Sequence, residues 1–410
     1  MNKKILLTTC LLIFLNAFAK AQTQNHSKET KQIQLTKLTQ DFKFKEALKF
    51  IDEQFSPAEI NTPILYIKGN CYRKLGNLLS AEKCYLKIFK KDSTEIQSLN
   101  NLAQIAENKA NFTQALKYRL LMLQLDADNP YFYKLTAKTC LKSGLTDSAK
   151  LLYKKTIELN PNDIDSRITL TNIYIEEENT DAADTVIAPA LIQNISNKKL
   201  LLKAIQLRYK EEKYLEALSF ARSAIVLDPR NYIIHNYLGL INYQTKCYEQ
   251  CIYWLNKLIE RKKENESTYF HLGSAYLELK QYDKAIENLE KAIDKDISNI
   301  TTNSYLQIGR AYEENKKASE AIAAYHKALD FGAGNNTIFK LASIYDQFYK
   351  DKRPALNWYL LYQKNKDSKS NPLIDKYVKS RISALKERIH FEQKGKMSCP
   401  EIALQDLYKN

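Results

Sequence analysis

The sequence predicts an all-α protein: an α-solenoid of about ten helix–turn–helix repeats with a C-terminal capping helix. Three observations favour this fold class. Nine Gly and nine Pro among 410 residues are too few for a chain rich in tight turns. Apolar residues make up 44% of the chain, which is enough to build a core. Small residues recur with a period of 34, and apolar residues between them follow helical spacing.

The N-terminal segment has the pattern of an export signal. Lys3 and Lys4 precede an apolar run over residues 5–19, and Ala19-Lys20-Ala21 offers a small-x-small cleavage site. The run is too short to span a bilayer comfortably, which favours a signal peptide over an uncleaved anchor. We therefore expect residues 1–21 to be removed after Ala21. The mature chain is then expected in the periplasm or secreted, with membrane contact only through the cleaved signal.

The charge of the mature chain argues against a nucleic-acid partner. The formal net charge of +15 loses Lys3, Lys4 and Lys20 with the signal, which leaves +12. Acidic residues are interspersed among the basic ones, and most basic residues are Lys rather than the Arg that commonly reads bases. The excess of Lys therefore indicates a solvated surface rather than a nucleic-acid interface.

Ten small side chains define the repeat. The first eight lie 34 residues apart, and after a two-residue shift near Ile300 the last two are again 34 apart. They are Ala47, Ala81, Ala115, Ala149, Ala183, Ala217, Cys251, Ala285, Ala321 and Ala355. Repeats that begin near residues 28, 62, 96, 130, 164, 198, 232, 266, 302 and 336 place each of these residues at position 20.

Other repeat positions predict how the two helices of a repeat pack. Position 8 is small in Gly69, Ala103, Ala137, Gly239, Gly273 and Gly309, and position 11 is aromatic in Tyr72, Tyr174, Tyr276 and Tyr312. Position 24 is aromatic in Tyr85, Tyr153, Tyr325 and Tyr359. Small residues at positions 8 and 20 let two helix backbones approach closely, while the rings fill the space beside them. Gly76 and Gly144 fall at position 15, in the turn between the helices.

This pattern resembles the tetratricopeptide repeat family over roughly residues 28 to 365. Its clearest stretch is Tyr269-Phe-His-Leu-Gly273-Ser-Ala-Tyr276 followed by Tyr282-Asp-Lys-Ala285. The resemblance implies a right-handed superhelix whose first helices line a concave groove with side chains from positions 2, 5, 9, 12 and 13. Because one hairpin cannot bury its apolar face alone, the repeats are expected to stack into one solenoid over residues 28–369.

Two segments modify the simple stack. Repeat five departs most from the pattern, and Pro189 lies inside its second helix, so we expect a bend or weak joint near residues 185–200. A helix over residues 370–391, with an apolar stripe at helical spacing, is expected to cap the solenoid, and residues 392–410 to form a tail. The stripe consists of Ile374, Val378, Ile382, Leu385 and Ile389.

The groove implied by the resemblance presents aromatic, amide and cationic side chains, which suit a protein or peptide partner. The candidate binding residues are Tyr66, Asn70, Arg73, Lys74, Asn101, Tyr131, Lys134, Lys138, Tyr209, Tyr243, Phe270 and Arg310. The alternative is that they form ordinary solvated helix faces. A carboxylate clamp, as some family members have, is not expected, because Tyr66, Tyr131 and Leu135 occupy its cation positions.

The sequence contains no pattern that predicts catalysis, a cofactor or a metal. His-Glu-x-x-His, Gly-x-Ser-x-Gly and phosphate-binding Gly loops are absent from it. His235 lies at core position 4, and Cys251 lies at the small core position, so packing explains both better than metal binding does. Cys71 and Cys84 lie on the two helices of one repeat and could form a disulfide or remain buried thiols.

These observations predict an exported, non-enzymatic scaffold that binds a protein or peptide. The abundance of Lys, Asn and Tyr, with a signal ending Ala-Lys-Ala-Gln, resembles exported repeat proteins of Bacteroidota. The alternative is a glycan-capture or outer-membrane uptake accessory protein. Proteins of that kind carry a lipid-bearing Cys after the signal and large insertions between repeats, and this sequence has neither feature.

Overall fold

A computed structural model describes residues 30–295, 299–366 and 371–397. The predicted signal peptide and the end of the predicted tail lie outside these ranges. Within them, every regular element is a helix, and consecutive helices pack together as hairpins. None of the helices in these ranges has the length and apolar character needed to cross a membrane. The all-α repeat architecture is therefore confirmed.

The chain divides into two compact units, and the division falls between Gln193 and Asn194. This point lies inside the segment 185–200 in which the sequence predicts a weak joint. Pro189 is part of the last helix of the first unit. The prediction of one uninterrupted solenoid across this point stays a prediction.

Unit 1 contains five consecutive hairpins among its described residues. Its helices are α1 (30–40), α2 (Phe44–Gln54), α3 (Thr62–Lys74), α4 (Leu78–Lys91), α5 (Ile96–Asn108), α6 (Phe112–Leu125), α7 (Pro130–Lys142), α8 (Thr146–Leu159), α9 (Ile164–Glu176) and α10 (Thr180–Gln193). Odd-numbered helices are the first helices of the repeats, and even-numbered helices are the second helices.

Unit 2 continues the same alternation and adds one further helix. Its helices are α11 (Lys198–Lys210), α12 (Tyr214–Leu227), α13 (Tyr232–Gln244), α14 (Tyr248–Glu260), α15 (Glu266–Glu278), α16 (Tyr282–Lys295), α17 (Asn299–Glu314), α18 (Ala318–Asp330), α19 (Asn335–Phe348), α20 (Arg353–Lys364) and α21 (Pro372–Met397).

The small residues of the repeat lie in the core. All ten residues at position 20, from Ala47 to Ala355, have 0% of their surface exposed. Four tyrosines at position 24 are buried beside them: Tyr85, Tyr153, Tyr325 and Tyr359. The repeating alternation of small and large side chains therefore forms the helix–helix contact that the sequence predicts.

An asparagine immediately precedes many of the helices and caps their N-termini. The side chain of the residue before the helix accepts a backbone N–H from the first turn at Asn61, Asn77, Asn111, Asn129, Asn197, Asn231 and Asn265. Such a cap satisfies one of the backbone donors that the first helical turn leaves without a partner. The frequent Asn at the starts of helices therefore has a local structural cause.

The turn inside each hairpin is set by one backbone conformation. Position 15 has a positive φ in nine repeats, at Phe42, Gly76, Ala110, Gly144, Glu178, Glu212, Lys246, Lys280 and Lys316. Only two of these residues are glycine, so the other seven adopt a conformation that L-residues disfavour. The packing of the hairpins thus overrides the local preference of the turn residue.

Helix α21 closes unit 2 by packing on α19 and α20. Its Val378 and Leu385 are buried in a cluster with Tyr359 and Tyr362 of α20. Its Arg381 donates hydrogen bonds of 2.6 and 2.8 Å to the buried carboxylate of Asp346. The capping helix therefore combines an apolar stripe with a buried ion pair.

The structure corrects the predicted end of this helix. α21 continues to Met397, whereas the sequence analysis ended the helix at 391 and began the tail at 392. Residues 392–397 are mostly Glu, Gln, Lys and Met, which favour helix, and the single Gly395 among them is tolerated.

Candidate functional site

The candidate site is the first-helix face, which we define as the side chains at positions 2, 5, 9, 12 and 13 of the first helices. In unit 1, hydrogen bonds connect this face from one repeat to the next. Asn101 Nδ2 on α5 donates to the hydroxyl of Tyr66 on α3 over 3.3 Å. Arg73 Nη1 on α3 donates to Gln104 Oε1 on α5 over 3.4 Å. The predicted residues Tyr66 and Arg73 therefore belong to one connected surface, and Asn101 at the adjacent position 6 supports it from below.

Two tyrosines and an amide link this surface to the core. The ring of Tyr66 packs edge-on against that of Tyr85, with ring centres 5.9 Å apart. The hydroxyl of Tyr85 donates to Asn70 Oδ1 over 2.8 Å. Because Tyr85 is fully buried at position 24, it holds the orientations of Tyr66 and Asn70.

Glu107 is the electrostatic centre of this part of the face. Its carboxylate accepts hydrogen bonds from Arg119 (3.1 Å), Thr139 (2.7 Å) and Lys142 (2.7 Å). Burial alone would raise the pKa of the Glu107 carboxyl, but these three donors together hold it below its usual value. Arg119 also donates to Asn100 on the same face over 2.5 Å.

Neither Glu107 nor Arg119 was predicted from the sequence as part of the site. Glu107 lies at position 12, which the repeat assigns to the face, but it is not among the predicted binding residues. Arg119 lies at position 24, where four other repeats have tyrosine. A charged residue at this core position was the available signal, because a nearly buried guanidinium needs a carboxylate partner.

The cations of α7 differ in what they contact. Lys134 lies 2.8 Å from Asp163 and 3.7 Å from Asp165 on the next repeat, so its charge is already balanced. Lys138 is exposed on the same helix, and Lys74 is exposed on α3; among the described residues neither has an ion-pair partner. Tyr131 at the start of α7 is 54% exposed. The side chains of Tyr131, Lys74 and Lys138 are therefore open to a ligand.

In unit 2, aromatic rings cluster on part of the first-helix face. The ring of Tyr209 lies between those of Tyr214 and Tyr237, with centres 5.5 and 5.7 Å away. Burial raises the pKa of Tyr209, and a hydrogen bond with Gln244 on the next repeat lowers it in part. The predicted residue Tyr209 therefore contributes an edge-to-face ring stack to this surface.

The aromatic arrangement repeats one repeat further along. Tyr243 lies against Tyr248 and His271, with ring centres 5.9 and 5.4 Å away, and Phe270 packs edge-on against His271. Tyr237 and His271 both occupy position 6, the position that the predicted residue Asn101 occupies in unit 1. Position 6 of the next repeat thus completes the ring contacts of position 12.

In the following repeat, this face carries charged side chains instead of aromatic rings. Arg310 on α17 donates to Glu278 on α15 over 2.7 Å and to Glu314 on its own helix over 2.8 Å. The predicted binding residue Arg310 is therefore already held between two carboxylates. The structure thus brings the candidate residues together in two groups, one within each unit.

Packing in the core explains the positions of Cys71, Cys84, Cys251 and His235. Cys71, Cys84 and Cys251 are buried free thiols, and burial raises the pKa of Cys71 to about 11. His235 is 2% exposed, and its Nε2 lies 3.1 Å from the carbonyl oxygen of Pro229. Across the described ranges, no three His, Cys, Asp or Glu side chains converge as metal ligands would.

Three parts of the chain match a known repeat family. Residues 62–91, 267–299 and 302–331 match the pattern of the tetratricopeptide repeat. Three helical hairpins of this chain therefore match the tetratricopeptide repeat. These matches cover α3–α4, α15–α16 and α17–α18, which are hairpins in both units. Tetratricopeptide repeats commonly serve as scaffolds for contacts between proteins.

Several known proteins are similar to this chain. The TPR repeat-containing protein YpiA of Bacillus subtilis (strain 168) is 24% identical over 238 residues, which cover 57% of this chain and 55% of YpiA. This chain therefore matches about half the length of that relative.

Solved structures of tetratricopeptide repeat proteins also align with it. A protein from Parabacteroides merdae ATCC 43184 aligns with a TM-score of 0.44 at 17% identity, covering 61% of this chain and 98% of its own. YrrB, described as having an unusual peptide-binding site, aligns with a TM-score of 0.39 at 17% identity, covering 47% and 97%.

Proposed function

We propose that this protein is an exported, non-enzymatic scaffold that binds a protein or peptide partner through the first-helix face. The proposal rests on the arrangement of unit 1. There the exposed side chains of Tyr131, Lys74 and Lys138 lie on a surface that hydrogen bonds connect from one repeat to the next. The contacts between Tyr66 and Asn101 hold that surface in place before any ligand arrives. A preorganised surface loses less side-chain entropy when it binds.

The charges of unit 1 favour a partner segment that carries carboxylates. Glu107 and Asp163 are both balanced by cations of this chain. Lys74 and Lys138 therefore leave the face with a positive potential. The exposed ring of Tyr131 and the amides of this face would contact the partner's apolar side chains and backbone.

Affinity capture with the mature chain tests the proposal. We compare the unaltered chain with a variant carrying Tyr131→Ala and Lys138→Ala, which leaves the Lys134–Asp163 pair intact. The matched control carries Leu79→Ala and Lys83→Ala, two exposed positions on the second helix α4. We expect the first variant to lose a captured protein that the control retains.

Two results would contradict the proposal. Capture of the same proteins by all three chains would exclude the first-helix face of unit 1 as the binding surface. Retention of the chain on a polysaccharide matrix, abolished by the face variant, would instead favour a glycan-capture accessory protein.

The exported location rests on the N-terminal sequence alone and has its own test. Residues 1–21 have the charge, apolar run and cleavage site of a signal peptide. The intact mass of the protein isolated from its native cells should correspond to a chain that begins at Gln22. A chain that retains Met1 and is found in the cytoplasm would contradict export without affecting the binding proposal.

A further inference from the structure

Unit 2 contains a cavity that lies away from its first-helix face. It has a volume of about 460 Å³ and opens between the second helices α16 and α18, against the first helix α17. Ala323 and Ala324 on α18 face Ile293 on α16 across it. The small size of these two side chains leaves the gap, which continues outward from the apolar cluster around Ile308.

The cavity combines aromatic walls with an acidic rim. Tyr305 and Tyr312 of α17 form the walls, and the carboxylates Glu290, Asp294 and Glu320 surround the opening. None of the three carboxylates has a hydrogen-bond or ion-pair partner within the described parts of the chain. A pocket with apolar walls and a few convergent polar groups is the usual form of a small-ligand site.

The preceding repeat has a lysine over the corresponding tyrosine, and this site does not. At position 11 of that repeat, Tyr276 has the ammonium of Lys284, at position 19, 5.4 Å from the centre of its ring. At the same positions of the next repeat stand Tyr312 and Glu320. The lysine whose ammonium covers Tyr276 is therefore replaced, in the next repeat, by a glutamate beside Tyr312.

The cavity itself contains an example of the same contact. The ammonium of Lys327 lies 5.3 Å from the ring centre of Tyr305. An ammonium over an aromatic face is attracted by the negative charge of the π-system, and nearby carboxylates strengthen the attraction. One aromatic wall thus already has a cation from this chain, whereas no described cation lies over the other.

We propose that this cavity is a binding site for an alkylammonium group, which would lie over the ring of Tyr312 between Glu290 and Glu320. The alkyl chain would contact Ala323 and Ala324. A free linear polyamine and the lysine side chain of a partner protein both present this chemistry. The site is independent of the first-helix face.

The electrostatics of Tyr312 are consistent with this geometry. Burial raises the pKa of its hydroxyl, and the carboxylates of Glu290, Glu320 and Asp283 raise it further. These groups therefore lie close enough to the tyrosine to influence a cation bound there.

Titration calorimetry with spermidine and with a trilysine peptide tests the proposal. The decisive variant is Glu320→Lys, which puts a lysine at the position that Lys284 occupies in the preceding repeat. Its control is Glu249→Lys, which makes the same change of charge at an exposed position on α14 outside the cavity. A second variant, Tyr312→Leu, removes the aromatic face and keeps an apolar side chain. Helical content and the thermal midpoint are measured for every variant.

The proposal predicts one saturable site per chain for at least one of the two probes. Glu320→Lys should weaken binding by about tenfold or more, Tyr312→Leu should weaken it less, and Glu249→Lys should leave it within about twofold. Binding of both probes would indicate a site that a partner's lysine can reach, whereas binding of spermidine alone would assign it to free polyamines. Absence of saturable binding, or equal losses in Glu320→Lys and Glu249→Lys, would overturn the proposal.

Discussion

Gly309 of α17 lies directly against the ring of Tyr325 of α18. A Cβ atom at residue 309 would stand 2.7 Å from Cε1 of that ring, closer than two such atoms can approach. The ring cannot easily move, because Tyr325 is 2% exposed and its hydroxyl donates to Glu313 over 2.8 Å. The absence of a side chain at 309 therefore sets the distance between the two helices of this repeat.

Replacement of this glycine should destabilise unit 2. We expect Gly309→Val to lower the free energy of unfolding by about 2–3 kcal/mol, because the added atoms force the helices apart. Chemical denaturation measures the change. Gly334→Val is the control, since nothing lies within 4 Å of a Cβ at that residue and its φ is −82°. Equal losses for both variants would contradict the close-contact explanation.

The turn residues with a positive φ predict a substitution that raises stability instead of lowering it. Lys280 has a φ of 58° and Gly144 a φ of 78°, each at position 15 of its repeat. Because this conformation strains any residue with a Cβ, Lys280→Gly should stabilise the protein by about 0.5–1 kcal/mol. Gly144→Ala should destabilise it by about 1 kcal/mol for the same reason. Thermal midpoints compare both variants, and a lower midpoint for Lys280→Gly would show that the turn is not strained.

The charge network around Glu107 predicts a pH-dependent contribution to stability. The pKa of Glu107 is lowered on folding, so its contribution is present above the unfolded pKa of about 4.3 and is lost as the pH falls through the folded value. Glu107→Gln should cost about 2–4 kcal/mol at pH 7, because it leaves the nearly buried Arg119 without its carboxylate.

Unfolding curves at pH 7 and near pH 3 measure this effect. The difference between Glu107→Gln and the unaltered protein should shrink at the lower pH. Lys155→Gln, which breaks an exposed pair with Glu158, is the control and should change stability by less than about 1 kcal/mol at either pH. A loss for Glu107→Gln that is the same at both pH values would contradict a role for the charge.

Two histidines, the buried His235 and the half-buried His271, predict a further loss of stability in mild acid. Burial lowers the pKa of His235 and of His271, although backbone carbonyl partners oppose part of the shift. The unfolded chain therefore binds protons more readily, and stability should begin to fall as the pH drops below about 6.5. Imidazole signals followed by NMR should titrate below the usual range. Titration of both rings at or above pH 6.5 would exclude this mechanism.

Much of the fold could be predicted because every repeat needs the same kind of side chain at the same position. Ala47 and Ala355 lie at opposite ends of the described repeats, yet both are fully buried, because each hairpin needs a small side chain at its helix crossing. The glycine turns were equally predictable, since Gly76 and Gly144 adopt the positive φ that glycine favours. The same backbone at Lys280 was not, because lysine gives no local signal for it.

The candidate site was predictable only in part. Repeat positions identified which side chains share a face, but they do not show which charges are already balanced. Lys134 pairs with Asp163, which lies 29 residues away and directly precedes α9, and this pairing depends on the distance between neighbouring helices. Similarly, Arg119 replaces an expected tyrosine and reaches Glu107 only because the first helix of its repeat lies beside it.

Site-specific photocrosslinking tests the central claim most directly. A photoreactive amino acid is placed either at residue 131 on the first-helix face or at residue 151 on the second helix α8, where Leu151 is 68% exposed. After irradiation in the native cells, a partner protein should be crosslinked from position 131 and not from position 151. Crosslinks from position 151 alone would contradict binding through the first-helix face.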